Sequence, residues 1–404
     1  MLSVSEAQSL VLAKARALSA VQAPISHELL GQVLAEEIVS DIDMPPFDKS
    51  LMDGFAVRSA DLPEGKATLA VIEEVTAGLT PKLPLMPGQA TKIMTGAPLP
   101  AGADAVVMIE RTRPGANGRV EIDDKPPRPE QNVMSRGREM RKGEGVLSAG
   151  TVLRPQEFGV LATVGRTTMT VVPRPRVAIL CTGDEIVDAQ EKPEPSQIRN
   201  GNGPMLQAQV ARAGGIPRYL GIARDRVQEL RTRIKEGLQS SDLLVLSGGI
   251  SAGKLDLVPG VLQELGVQAH FHKVEMKPGK PVFFGTWGQT LVFGLPGNPV
   301  SALVCFELFV RPAIRRLAGH ARSGPFFVLA SLTENFAYKT DRPTYYPAWL
   351  AWEGKAYKAR PVPWFGSPDL RALTRANAFI FIAAGDHQLP AGQLVSAMKT
   401  EDES

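Results

Sequence analysis

Cysteine is scarce: Cys181 and Cys305 are the only two in 404 residues, and both sit in apolar runs. Two thiols are too few for a secreted disulfide framework and cannot build a metal cage by themselves, so they read as core thiols in a reducing compartment. Histidine is equally thin. Of five, His270 and His272 alternate on one strand face while His27, His320 and His387 stand alone, which argues against a transition-metal site built on His and Cys. A charge excess is missing as well. Lys and Arg number 45 against 42 Asp and Glu, leaving +3 and no electrostatic case for nucleic acid as a partner. The most apolar stretch, 291–310, contains Pro296, Asn298, Pro299 and Glu307, so no membrane segment is expected. Glu6 and Lys14 interrupt the first residues where a signal peptide needs an apolar centre, and a cytoplasmic protein is expected. No G-x-S-x-G elbow surrounds a serine, which leaves a hydrolase triad without support.

What is present is an ordinary globular composition, 44% hydrophobic and 22% charged, with 38 glycines and 33 prolines that call for many structured turns. The length allows two to four domains. Ser3 and Glu6 have capping-box spacing ahead of Leu10, Ala13, Ala17 and Leu18, which predicts an opening amphipathic helix in need of a partner surface. From about 42 to 137 short β-rich runs alternate with Pro and Gly clusters, as in a small β-domain. The segment VLSAGTVLRPQEFGVLATVG could then pack beside the first helix and make one domain from two chain pieces. Beyond the stiff Val172-Pro173-Arg174-Pro175 link, apolar strand-like runs alternate with helical ones. That alternation predicts an open, mainly parallel sheet covered on both faces. From about 321 the β character returns, as a terminal barrel or sandwich.

In such a sheet ligands bind outside the carboxyl ends of the strands. Three of those ends are rich in Gly and small polar residues: Thr182-Gly183-Asp184-Glu185, Ser247 through Gly253, and Gly294 through Ser301 with Pro296, Gly297, Asn298 and Pro299. Glycines let the backbone approach an anion and suit phosphate, although the same loops also read as tight strand-to-helix turns without a ligand. Gly248, Gly253 and Lys254 fit the G-x-x-x-x-G-K of a P-loop, but Leu255 stands where a hydroxyl is required and Pro259 follows closely. Asp256 is placed to hold a divalent cation between phosphates or to cap the next helix. Asp225 is another strand-end acid with the same two readings. Lys277-Pro278-Gly279-Lys280-Pro281, preceded by Lys273, puts ammonium groups on a proline-shaped turn suited to an oxyanion.

Seven ordered motifs together resemble the molybdopterin molybdenumtransferase family, related to the E domain of gephyrin. They are FDxSxMDGFA at 47–56, MTGAPxP at 94–100, AVVMxE at 105–110, TGDE at 182–185, SGGxSxGxxD at 247–256, KPGKP at 277–281 and GLPGNPVSA at 294–302. The resemblance covers nearly the whole chain. It implies an α/β plus β, multidomain fold: a discontinuous helical and mixed linker domain (1–42 with 138–173), a small β-rich domain (43–137), a molybdopterin-binding α/β domain (174–320) and a C-terminal β-barrel (321–404). It also implies a homodimer in which Asp53 and Thr95 of one subunit face the strand-end loops of the other.

Carried over by position, Gly248, Gly249, Ser251 and Gly253 would cradle pterin or nucleotide phosphates, and Lys277, Lys280 and Ser301 would hold molybdate. Asp225 and Asp256 match the acids for nucleotide and Mg²⁺, while Asp53, Thr95 and Glu185 match other functionally sensitive positions. The implied reaction inserts molybdate into adenylylated molybdopterin with release of AMP. The alternative is a noncatalytic paralogue that binds the pterin or scaffolds partners. The chain departs from the family pattern at Asn200 (an Asp there), in Arg136-Gly137-Arg138-Glu139 (Arg-Gly-Glu-Asp), at Pro347 (an Arg) and in the stretch from Pro368 to Arg371 (Ser-rich), with Arg342, Arg371 or Arg375 as possible compensating cations.

Overall fold

The computed structural model describes residues 1–250 and 257–400. Two compact units form: one from residues 1–35, 150–153 and 170 onward, the other from residues 36–149 and 154–169.

The first unit is built on six strands: β1 (Arg176–Thr182), β2 (Ile216–Ala223), β3 (Leu243–Ser247), β4 (Gln268–Lys273), β5 (Pro281–Trp287) and β6 (Thr290–Leu295), in the order β2-β1-β3-β6-β5-β4. The pairs β2–β1, β1–β3 and β3–β6 are parallel; β6–β5 and β5–β4 are antiparallel. The strands RVAILCT and LLVLS are almost wholly buried, because a parallel strand covered on both faces has no polar side to present. Alternate residues feed two separate cores. Val177, Ile179, Leu243 and Val245 enter one, with helices α2 (Asn202–Arg212) and α6 (Arg311–Leu317). Ala178, Leu180, Leu244 and Leu246 enter the other, with α3 (Val227–Ser240) and α4 (Val258–Glu264).

The opening helix α1 (Val4–Lys14) has the expected cap, with both halves of the Ser3–Glu6 box formed. Its apolar residues Ala7 and Val11, with Ala15, enter the core that holds Phe309 and Ile314, a partner surface other than the anticipated segment 146–165. The run anticipated as a single helix near 301–319 is divided. Helix α5 (Pro299–Cys305) passes into a π-helical turn (Phe306–Val310) before α6 begins. Pro312 has no N–H to continue the ladder and its ring crowds the carbonyl four residues back, which widens the preceding turn.

The same unit ends in a closed five-stranded barrel of Phe327–Leu332, Ala356–Pro361, Thr344–Glu353, Ala378–Ile382 and Leu394–Lys399, settling the choice between barrel and sandwich. Its filling is Ala330, Leu332, Tyr346, Ala348, Ile380 and Ala397 among others.

The second unit holds a six-stranded sheet in the order Ala105–Met108, Gly54–Val57, Gln89–Ile93, Lys66–Val75, Arg119–Asp123, Thr112–Pro114. Phe55, Val57 and Val107 point to one cluster and Ala56, Val106 and Ile93 to another, the period-two alternation of a curled sheet. A helix at Pro155–Thr163 belongs to this unit.

Candidate functional site

In the first unit β1, β3 and β6 are neighbours, so their carboxyl-terminal loops meet. Thr182 ends β1, Ser247 ends β3 and Leu295 ends β6. Around these ends lies a cleft of about 430 Å³ lined by Thr182, Glu185, Gly248, Gly297, Asn298 and Pro299, with Arg199, Asn202 and Leu370. The close packing of the loops depends on Gly248. At φ +97° its backbone suits no L side chain, and a Cβ there would stand 2.3 Å from the Thr182 carbonyl oxygen.

Two residues brace the floor. The Asn202 amide, at the start of α2, donates to Ser247 Oγ at 2.9 Å and to the Gly297 carbonyl at 2.8 Å, tying two strand-end loops to a helix. Asn200 is buried; it accepts from the Gly203 N–H at 3.0 Å and donates to the Tyr219 hydroxyl at 2.8 Å. The neutral amide donates to the Tyr219 oxygen, whereas a carboxylate at this position would instead have to accept from the Tyr219 hydroxyl. Burial pushes the Cys181 thiol up to about 11, with Asn200 and Tyr219 offsetting part of that rise. Thr182 is 2% exposed, and its Oγ1 has no hydrogen-bond partner among the described residues. A buried hydroxyl left so costs about 1–3 kcal/mol, which a bound ligand oxygen could recover.

Other expected residues of this unit do not line the cleft. Asp225 donates its backbone N–H to Asp184 Oδ1 at 3.2 Å, and the Arg224 guanidinium bonds the carbonyls of Asp184 and Ile186, joining the ends of β1 and β2. The Lys277-to-Pro281 turn packs on α5: Cys305 Sγ donates to the Gly279 carbonyl at 3.6 Å, and a Cβ on Gly279, at φ +103°, would fall 2.4 Å from that sulfur and 3.7 Å from the Ser301 carbonyl oxygen. Lys277 faces the barrel. Its N–H donates to the Pro343 carbonyl, its own carbonyl accepts from Tyr345, both at 2.8 Å, and its ammonium lies 5.6 Å from the Tyr338 ring centre. Lys273 and Lys280 are exposed, Pro296 and Ser301 are buried, and none of these four lines the cleft. Gly249 lies next to it, with a hypothetical Cβ 2.8 Å from Thr182 Oγ1. Ser251, Gly253 and Asp256 lie outside the described residues.

Within the second unit Asp53 Oδ1 accepts from both the N–H and the hydroxyl of Thr95, bonds that hold its carboxyl below the usual aspartate value. Of the departures from the family pattern, Glu139 pairs with Lys49 at 3.4 Å and Pro347 is buried in the barrel strand Thr344–Glu353. Among the candidate cations, Arg342 pairs with Asp341 at 3.0 Å, Arg375 reaches the Pro363 carbonyl at 3.5 Å, and Arg371 is exposed. Sequence reasoning placed Thr182 in a candidate ligand loop without giving its side chain a role, and it did not single out Asn202, Arg199 or Leu370. Asn202 could have been picked out as an amide directly opening a helix after a strand end; the distant Leu370 offered no signal.

Among the described residues no group of three or more His, Cys, Asp or Glu side chains could hold a metal ion. Mg²⁺ does not demand such a cage, since one or two carboxylates together with substrate phosphates and water suffice. Of the two acids expected to hold it, Asp225 is exposed at the end of β2 beside Asp184, and Asp256 lies outside the described residues.

Three family models match the chain: the MoeA N-terminal region (domain I and II) over residues 2–165, a probable molybdopterin binding domain over 178–316, and the MoeA C-terminal region (domain IV) over 330–399. A molybdopterin molybdenumtransferase of Bacillus subtilis is 35% identical over 384 residues, covering 94% of this chain and 89% of the relative. One from Staphylococcus aureus is 32% identical, covering 93% and 90%. The crystal structure of a molybdopterin biosynthesis MoeA protein from Pyrococcus horikosii superposes with a TM-score of 0.83 at 32% identity and full coverage of both chains.

Proposed function

Since the chain belongs to the MoeA family of molybdopterin molybdenumtransferases, we propose that it inserts molybdate into adenylylated molybdopterin and releases AMP, a step of molybdenum cofactor biosynthesis. One observation carries the reading: three strand-end loops close on a single cleft whose floor holds a buried, unpartnered Thr182 hydroxyl among the described residues. Gly248, Gly249, Ser251 and Gly253 hold the substrate's phosphates through backbone donors, and Gly297, Asn298 and Pro299 form the opposite wall with Pro296 buried behind them. Lys277, Lys280 and Ser301 take up molybdate, and Lys273 adds a further substrate contact. Lysine suits that task as a compact charge that offsets two anions as they meet. Asp225 and Asp256 are the acids for Mg²⁺, which when bound neutralises phosphate charge as AMP leaves. Asp53, Thr95 and Glu185 are needed for turnover. The chain need supply no nucleophile; its residues bind, orient and screen.

The protein acts as a homodimer in the cytoplasm, without nucleic acid or membrane partners. The near-neutral charge balance supports the lack of a nucleic-acid partner, and among the described residues no helix is long and apolar enough to cross a membrane. The test is AMP release from adenylylated molybdopterin with and without molybdate, in the presence of Mg²⁺. Molybdate-dependent release is expected. Tight substrate binding with no such release would reject an insertase in favour of a noncatalytic binder.

A further inference from the structure

The second unit contains a cleft that this reading does not use. It measures about 500 Å³, with Leu51, Val133 and Met134 as apolar wall, Arg136, Arg138 and Arg141 as cations, and Glu130 as its one lining acid. Asp43 organises the arginines. Its carboxylate accepts from the Lys142 backbone N–H at 2.9 Å and from Arg136 Nε at 2.7 Å, and these two bonds hold it below the usual aspartate value. Both ends of the 136–142 segment are thereby fastened to one anchor. The Arg136 N–H also bonds Asp48 Oδ1 at 2.7 Å, the Gly137 N–H bonds the Pro45 carbonyl at 2.9 Å, and the Arg141 stem runs over Gly137, its Cγ 3.3 Å from where a Cβ would stand.

This arrangement spends one positive charge and leaves two. Arg136 is committed to Asp43. Glu139, the acid between the other two arginines in sequence, is drawn off to Lys49. Arg138 and Arg141 are exposed and make no side-chain hydrogen bond or ion pair among the described residues; Arg141 only adds to the field at Asp43. Glu130 is fixed at φ +64° by its N–H bond to the Asp104 carbonyl at 2.7 Å, and it offsets at most one of the two free charges.

We propose that this cleft binds a phosphate monoester, with the phosphoryl group taken by Arg138 and Arg141 and the organic body laid against Leu51, Val133 and Met134. Guanidinium forks match the oxygens of a tetrahedral dianion in pairs. The volume is that of a small-molecule site, far larger than a bare oxyanion requires. The inference is independent of the insertase reading.

The test titrates the full-length protein calorimetrically at low salt with phenyl phosphate and with inorganic phosphate, alongside the Arg138→Gln/Arg141→Gln double variant. Arginine modification by phenylglyoxal, mapped by peptide mass spectrometry, is run on the wild type with and without phenyl phosphate. Phenyl phosphate should protect Arg138 and Arg141, and the double variant should bind it about tenfold more weakly or worse at an unchanged melting temperature. Inorganic phosphate should bind clearly more weakly than phenyl phosphate. The proposal is overturned if neither arginine is protected or if the double variant keeps wild-type affinity; equal affinity for the two probes overturns the organic body. Either failure would leave molybdate-dependent AMP release untouched, so the two readings fail separately.

Discussion

Asp53 and Thr95, 42 positions apart, are joined by two hydrogen bonds to a single carboxylate oxygen: the Thr95 N–H at 2.7 Å and its hydroxyl at 2.8 Å both donate to Asp53 Oδ1. Both donors favour the charged form, so the folded-state pKa lies below the ordinary 3.8. A depressed carboxylate stabilises the fold fully above its unfolded pKa and loses that contribution as pH falls through the folded value. Stability should therefore erode from this pair only below about pH 4. Carboxyl-carbon NMR titration should place Asp53 below 3.8, and Thr95→Val should move it upward. An unshifted Asp53 in the wild type would contradict the geometry.

Asn202 should matter for binding as well as for folding. Asn202→Ala removes two hydrogen bonds, each worth about 1 kcal/mol, from the join between the Ser247 and Gly297 loops. About 2 kcal/mol is roughly thirtyfold in affinity for adenylylated molybdopterin. Equilibrium binding should show a loss of that order alongside a fall of several degrees in melting temperature; a fall in melting temperature with unchanged affinity would assign Asn202 to the core instead.

Gly279→Ala should destabilise the Lys277-to-Pro281 turn twice over, through the left-handed backbone at about 1–3 kcal/mol and through contact with Cys305 Sγ. Pairing it with Cys305→Ala should restore only the steric part. Calorimetry on the two singles and the double separates these contributions, and full recovery in the double would show that the backbone cost is negligible.

Glu307, 1% exposed in the π-helical turn, accepts from Gln209 Nε2 at 2.8 Å and pairs with Arg212 and with Arg311 at 3.4 Å. Truncating Glu307 removes the acceptor of Gln209 and one buried partner each of Arg212 and Arg311, so Glu307→Ala should cost about 3–5 kcal/mol. Denaturant unfolding should also show that Glu307→Gln costs less, because the amide keeps an acceptor; an equal loss would point to charge alone.

Much of this architecture was legible from periodicity and punctuation. The Ser3–Glu6 box marked the first helix, and β1 and β3, each an unbroken apolar run ending at or beside glycine, marked central strands and the loops beyond them. What escaped were relations between distant segments. The docking of α1 on Phe309 and Ile314, the break before Pro312 and the arrival of Leu370 at the cleft depend on tertiary packing that local pattern does not encode. Asn202 escaped for another reason: an amide among glycines reads as a turn until its two acceptors are seen.

The barrel contributes to the α/β body directly. The segment at 366–370 places the Ser367 carbonyl 3.0 Å from the Val300 N–H, capping the helix that follows the Gly297 loop, and sets Leu370 in the cleft wall. A protein shortened at residue 320 would therefore surrender a helix cap and part of the cleft wall together. Swapping barrels between relatives would then reshape what the cleft can admit even though the strand-end loops themselves were left untouched.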